Sequence, residues 1–214
     1  MKGRVVERLA REHILPELPD GFTVRRSLIY RRPLDYFLCG LSFGTSAFAS
    51  YRVFVEAFVQ PLYVRKSYLT YTFGFRVGQD FWDIDEAHPE PTFAEIAASA
   101  RRDAVPFFEQ LEGLDRFCEI VPILAAEDWP KVPPLTDPHV MEALGYAALL
   151  RGHKEEGLRF VEGAIASATE HRWEEQTERG ERVRDAVTRL GLEAGQALLE
   201  QWRSETIRNL RIEE

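Results

Sequence analysis

The sequence predicts an α+β protein with an N-terminal helix, a four-stranded antiparallel sheet and a helical C-terminal half. The first observation is the alternation between residues 51 and 77, where apolar side chains occupy every second position, as in strands with one buried face. The second is the change after residue 91, where apolar residues recur at helical spacing. The sheet is therefore expected in the first part of the chain and the helices in the second.

The strands are predicted near residues 22–30, 35–44, 51–60 and 67–77. In the third, Val53, Val55 and Ala57 share the face assigned to the core. Gly40 and Gly44, in the second strand, indicate a bulge or a close approach of another group. The connections between the last three strands are short, which favours an antiparallel meander.

The first helix is expected over residues 2–13, where apolar positions follow helical spacing. Three regions result, and the first and last can pack as one domain: a sheet region over 1–80, an acidic linker over 81–91 and a helical region over 92–214.

The chain around the linker concentrates acidic side chains and one histidine. They are Asp80, Asp83, Asp85, Glu86 and His88. A metal site is one interpretation, but the segment lacks the glycine and the closing glutamate of a calcium-binding EF-hand loop. A solvated linker without metal is the preferred interpretation, and no cofactor motif occurs elsewhere in the chain.

Composition is that of a globular protein, with 45% hydrophobic and 29% charged residues. No apolar run reaches the roughly 20 residues of a membrane helix, and no signal pattern begins the chain, so we expect a cytoplasmic protein without membrane contact. Cys39 and Cys118 lie in apolar stretches without metal-ligand spacing, which predicts free buried thiols rather than a disulfide.

The net charge of −8 is unevenly distributed. Residues 1–82 carry 12 basic and 7 acidic side chains, whereas residues 83–214 carry 15 and 28. The two parts should attract each other, within one subunit or across a homodimer; the alternative is a basic surface that binds a ligand. The acidic balance makes nucleic acid an unlikely partner.

Residues 143–164 form the one segment that resembles a known family. Its small and apolar positions match one tetratricopeptide helical hairpin at Leu144, Gly145, Ala147, Gly152, Gly157, Leu158 and Ala164. The segment departs from that motif at Ala148, where an aromatic residue is expected, and no second copy follows about 34 residues later. The resemblance implies a lone hairpin that packs on neighbouring helices, and it implies no activity.

The outward face of the sheet is the first candidate site. Arg52, Phe54, Glu56, Phe58 and Arg76 are expected to project from it together and to form an apolar patch rimmed by charge, as on a protein-binding surface. The alternative is that a C-terminal helix covers this patch.

Without a catalytic motif, the favoured function is that of a non-enzymatic protein-binding module, such as a bacterial adaptor or a toxin-neutralising immunity-type protein. The second hypothesis is an enzyme or small-ligand binder with a pocket between sheet and helices. Its candidate polar contacts are Arg26, Tyr30, Tyr63, Arg65 and Tyr71.

Overall fold

The computed structural model describes residues 3–46, 51–85, 87–127 and 132–212. They form an α+β fold with a six-stranded antiparallel sheet in the order β1-β2-β3-β4-β5, and β6 also pairs with β4. The strands are β1 (Phe22–Arg25), β2 (Leu28–Arg31), β3 (Phe37–Thr45), β4 (Arg52–Pro61), β5 (Phe73–Arg76) and β6 (Trp82–Asp83).

One helix precedes the sheet and seven follow it in the described part of the chain. They are α1 (Gly3–Leu9), α2 (Glu90–Ser99), α3 (Val105–Leu111), α4 (Leu114–Ala126), α5 (Pro138–Leu150), α6 (Lys154–Glu170), α7 (Glu174–Asp185) and α8 (Leu192–Leu210). Wider π-helical turns extend three of them, at Ala10–Ile14, Ala100–Ala104 and Ala186–Leu190, and a 3₁₀ turn follows the first at Leu15–Glu17. None of the described helices is both long and apolar enough to span a bilayer.

The pairing of β3 with β4 forms the centre of the sheet. Nine residue pairs join the two strands, from Phe37 opposite Pro61 to Thr45 opposite Val53. The predicted core face of β4 is confirmed, because Val53, Val55 and the other odd-numbered residues as far as Val59 are fully buried. The alternation itself holds only as far as Ala57, since the even-numbered residues are buried as well from Phe58 onward. This inner face contacts the helices, and the opposite face is called the outer face below.

The antiparallel sheet is confirmed, but it has six strands and not the predicted four. Two of the predicted strands are wrong in extent. The segment predicted as one strand over 22–30 is a hairpin, in which Arg25 pairs with Leu28 and Arg26 adopts a left-handed conformation with φ 56°. The two-residue turn shifts the phase of the alternation, because Val24 pairs with Ile29 and both face the main core, whereas Leu28 and Tyr30 face the opposite side. Leu28, Ile29 and Tyr30 are all apolar, so the sequence alone does not reveal this shift. In the segment predicted over 67–77, only Phe73–Arg76 is a strand.

The backbone before β5 is held by a side chain instead of a strand ladder. The Thr70 N–H donates to Gln60 Oε1 at 3.0 Å, and Gln60 Nε2 donates to the Tyr68 carbonyl at 3.3 Å. Gln60 thereby takes the place of a neighbouring strand.

Two residues of the segment 81–91, predicted as an acidic linker, pack on the fold. Trp82 and Ile84 are buried in the core, and Asp83 accepts hydrogen bonds from Arg52. Asp85 Oδ1 accepts from the Ala87 N–H at 2.9 Å, whereas Glu86 lies outside the described residues. Within the described ranges, no group of three or more His, Cys, Asp or Glu side chains is placed to hold a metal ion.

One hydrophobic cluster extends from Val6 in α1 to Trp202 in α8, so the sheet and the helices share a core. Helices α5 and α6 approach closely where both lack side chains. A Cβ at Gly145 would lie 3.0 Å from the Val161 nitrogen, and one at Gly157 would lie 2.9 Å from the Gly145 carbonyl oxygen. Helix α5 begins with a side-chain cap, because Asp137 accepts hydrogen bonds from two backbone N–H groups of its first turn.

We predict that Val55→Asp unfolds the protein, whereas Glu56→Gln leaves it folded. Val55 is fully buried in the centre of β4, and an unpaired carboxylate there costs several kcal/mol, comparable to the stability of a whole domain. Glu56 lies on the outer face, where its carboxylate pairs with Arg76 at 3.1 Å. Circular dichroism during urea unfolding measures both effects, and similar unfolding midpoints for the two variants would contradict the register of β4.

We also predict that a thiol reagent labels at most one cysteine of the folded protein at neutral pH. Burial raises the pKa of Cys39 to about 12, so that its reactive thiolate is scarce. Cys118 is half-buried; burial raises its pKa, and a hydrogen bond with Arg151 opposes this shift. Both thiols should react after unfolding in urea, and rapid labelling of both in the native protein would contradict the burial of Cys39.

Candidate functional site

The outer face of the sheet divides into a covered half and an open half. On the covered half, Tyr30, Phe58 and Leu62 form a small core with Ile207 and Ile212 from the C-terminal end of the chain. Phe58, expected in the surface patch, is therefore fully buried and is not available to a partner. This corresponds to the alternative in which a C-terminal helix covers the patch, but only over half of the face.

Phenylalanine rings on this face lie over glycines of the neighbouring strand. Phe54 faces Gly44 across the β3–β4 ladder, and its ring occupies the space that a Gly44 side chain would need. Phe58 faces Gly40 in the same way, and a Cβ at Gly40 would contact its ring at 3.4 Å. The close approach that the two glycines indicate is present, and it fixes both rings on the sheet surface.

The open half carries a cluster of two phenylalanines and two arginines. The Arg76 guanidinium carbon lies 3.9 Å from the ring centroid of Phe54 and 5.5 Å from that of Phe81. The Arg52 guanidinium lies 5.8 Å from Phe81, and the two rings meet edge to face at 6.3 Å. We call Arg52, Phe54, Arg76 and Phe81 the aromatic–arginine cluster.

Each arginine of this cluster is held by a carboxylate on the same face. Arg52 donates to both oxygens of Asp83, at 2.7 and 3.2 Å, and Arg76 donates to Glu56 at 3.1 Å. The hydrogen bond from Arg52 lowers the pKa of Asp83, with its positive charge as a further cause. Phe81 nevertheless remains 41% exposed. The cluster is thus preorganised, nearly neutral and open to solvent.

The five candidate pocket residues do not converge. Arg26 lies in the β1–β2 turn, Tyr30 lies in the covered half of the outer face, and Tyr63 is buried in the main core, where it donates to the Ala143 carbonyl at 3.2 Å. Arg65 pairs with Glu205 at 2.9 Å, and Tyr71 donates to Ser42 Oγ at 3.0 Å.

The cavity between the end of the sheet and α5 measures only about 20 Å³. A space of this size holds about one water molecule, which needs roughly 10–15 Å³ of it. This cavity therefore offers no room for the small ligand that the second hypothesis requires.

A buried ion cluster joins α5 to α7. Arg179 donates to both oxygens of Glu142, at 2.9 and 3.0 Å, and its third nitrogen donates to Glu175 at 2.9 Å. The Tyr146 hydroxyl also donates to Glu142, at 3.2 Å. Sequence reasoning missed this cluster, although an acid between apolar residues of a helix, as Glu142 is between Val140 and Ala143, is a signal of a buried ion pair.

Electrostatics of this ion cluster reflect its burial. Burial lowers the pKa of Arg179, but the hydrogen bond and the charge of Glu142 outweigh this effect and leave the pKa raised. Burial and the charge of Glu142 both raise the pKa of Tyr146. The positive charge of Arg179 is therefore stabilised by Glu142.

One turn before Arg179, both polar side-chain atoms of Gln176 are buried without a hydrogen-bond partner among the described residues.

Comparison with protein-family models, with curated proteins and with solved structures gives no match for this chain. The resemblance of residues 143–164 to a tetratricopeptide hairpin stays a prediction. Function must therefore be inferred from the geometry of this chain.

We predict that Glu142→Leu destabilises the protein by about 3–5 kcal/mol, because it leaves the Arg179 guanidinium buried without its main partner. The double variant Glu142→Leu/Arg179→Met should recover much of that loss, since it removes both charges. Denaturant unfolding at pH 7 measures both.

The matched control for this prediction is Glu175→Gln, which removes the exposed partner of the same guanidinium. Its side chain is 74% exposed, so the expected cost is only about 0–1 kcal/mol. A double variant no more stable than Glu142→Leu would contradict this account, because it would show that the unpaired guanidinium is not the cause of the loss.

Proposed function

We propose that the protein is a non-enzymatic protein-binding module, of the adaptor or immunity type, and that its partner docks on the aromatic–arginine cluster. The observation that carries the proposal is the exposed ring of Phe81 beside two arginines that are already fixed in place. Aromatic and arginine side chains dominate the binding energy of protein interfaces. Their ordering before binding reduces the entropy that association would cost.

The charges around the cluster indicate the chemistry of the partner surface at the centre of the contact. Asp83 and Glu56 already compensate the two guanidinium groups, so an acidic partner would gain little there. A partner surface that is apolar at its centre fits better, because it buries the rings and leaves the ion pairs intact. We therefore assign to the partner an apolar patch that packs on Phe54 and Phe81.

Long-range charge suggests the overall character of the partner. The chain carries a net charge of −8, which attracts a basic protein and repels an acidic one during approach. The proposed partner is thus a protein of net positive charge with an apolar docking patch. A basic toxin that an immunity-type protein neutralises would be such a partner.

The test compares Phe81→Ser with Ile123→Ser. Both side chains are exposed, 41% and 52%, but Ile123 lies on α4, outside the cluster. Proteins captured from extracts of the native host by the wild type are identified, purified and titrated against each variant. We expect Phe81→Ser to weaken binding about 30-fold or more, the loss typical of an interface hot spot, and Ile123→Ser to leave it unchanged.

Salt dependence provides the second measurement, with the same purified partner. The association rate should fall as ionic strength rises, since screening weakens the attraction between opposite net charges. Equal affinity of the wild type and Phe81→Ser for every captured partner would refute the proposed docking site. If sedimentation shows that the wild type is a homodimer and that Phe81→Ser is a monomer, and no other partner binds, the partner is a second copy of this chain.

A further inference from the structure

A second site lies apart from the outer face, at the junction of the segment after β4 with α7 and the C-terminal end of α8. It is a cleft of about 290 Å³. Its lining residues are Arg65, Lys66, Ser67, Glu175, Glu178, Arg179, Arg182 and Asn209. Basic side chains from two separate parts of the chain converge here, and we call this the Lys66 cleft.

Lys66, like Arg179, is a buried cation of the cleft, and only 8% of its surface is exposed. Its backbone is fixed, since its N–H donates to Thr206 Oγ1 at 3.3 Å and that hydroxyl donates to the Val64 carbonyl at 3.4 Å. Burial lowers the pKa of Lys66 and the charge of Arg179 lowers it further, while the charges of Glu142 and Glu175 oppose this shift without reversing it. Lys66 is thus a lysine held in a poorly hydrated position beside another cation.

The Lys66 ammonium group has no ion-pair partner among the residues that the structure describes. The centroid of the Tyr68 ring lies 5.9 Å from the Lys66 nitrogen. A buried ammonium normally has a counter-ion and hydrogen-bond acceptors, because the loss of hydration is otherwise uncompensated. The cleft therefore presents an unmatched positive charge.

Nearby carboxylates are largely committed to other cations. Glu142 and Glu175 bind Arg179, and Glu205 binds Arg65 at 2.9 Å. Arg182 lies 5.5 Å above the Trp202 ring and, within the described ranges, makes no ion pair. Two cations of the cleft, Lys66 and Arg182, are thus available to a ligand.

Glu178 lies in the cleft wall, and its negative charge repels an anion. It is exposed to solvent, where water screens its repulsion, whereas Lys66 is buried and acts through a lower dielectric. Anion binding is favoured on the Lys66 side of the cleft for this reason. Ser67 and Asn209 add a hydroxyl and an amide that can donate to oxygen atoms.

We propose that the Lys66 cleft binds the phosphate group of a small ligand. Lysine, arginine and neutral donors together satisfy several oxygens of a phosphate group, and charge-assisted bonds of this kind are the strong ones. The volume lies near the lower end of the range for ligand sites, roughly 300–1,000 Å³, so the ligand is small. The phosphate group supplies the counter-ion that Lys66 lacks.

The test titrates the full chain with inorganic phosphate, with glycerol 3-phosphate and with acetate, using calorimetry and amide NMR shifts. We expect saturable binding of a phosphate at about 10 mM or below, with shifts centred on residues 64–67 and 206–209. Lys66→Met and Arg182→Gln should each weaken it about tenfold or more, as expected for the loss of a charge-assisted bond. Arg182→Gln changes an exposed side chain, so it remains informative if Lys66→Met folds poorly.

Arg189→Gln is the matched control, because Arg189 follows α7, is exposed and pairs with Asp185 outside this cleft. It should leave the affinity unchanged. Tighter binding of glycerol 3-phosphate than of inorganic phosphate would identify an organic phosphate, and equal binding would identify the free ion.

Three results would overturn the proposal. The first is that neither phosphate saturates the protein at about 10 mM. The second is that the Lys66 and Arg182 variants bind phosphate as tightly as the wild type, and the third is that acetate binds as tightly as phosphate. The last would assign the cleft to carboxylates.

Discussion

The ladder between β3 and β4 is the constraint on which the rest of the structure depends. Its nine residue pairs fix which side chain faces which, and a shift of one residue would exchange the two faces completely. Val55 would then leave the core and Glu56 would enter it. The same register places Phe54 over Gly44 and Phe58 over Gly40, so one ladder sets both the core and the outer surface.

The strong part of the sequence signal was the alternation along β4, because a sheet with one buried face sorts apolar from polar side chains at every second position. The outline of the fold followed from this alternation. The close approach at Gly40 and Gly44 was indicated separately, by the two glycines themselves. The hairpin at Arg26 was missed for a physical reason. The turn shifts the phase of the alternation, but Leu28, Ile29 and Tyr30 are all apolar and hide the shift. An arginine in the left-handed conformation also gives no turn signal of the kind that glycine or asparagine gives.

Candidate sites were harder to predict, because their residues are distant in sequence. The outward direction of Arg52, Phe54 and Arg76 follows from periodicity, but the burial of Phe58 depends on Ile207, which approaches from the other end of the chain. No local pattern contains that contact. The pair between Glu142 and Arg179 likewise joins residues 37 positions apart. Periodicity identifies a face, whereas only the tertiary structure shows whether the face is covered.

The two proposed sites differ in how their charges are arranged, and this difference is what separates protein docking from ligand binding. In the aromatic–arginine cluster each guanidinium is paired at the surface, where an ion pair contributes little stability but orients a side chain. In the Lys66 cleft the buried Lys66 makes no ion pair within the described residues, although Arg179 beside it has two carboxylates. A preorganised neutral surface gains free energy mainly by burying apolar area, which a protein partner provides. A buried unpaired charge gains most from a counter-ion, which a small anion provides without large surface burial. The same chain can therefore hold both, because the C-terminal end of α8 covers half of the outer face and, on its other side, forms one wall of the cleft.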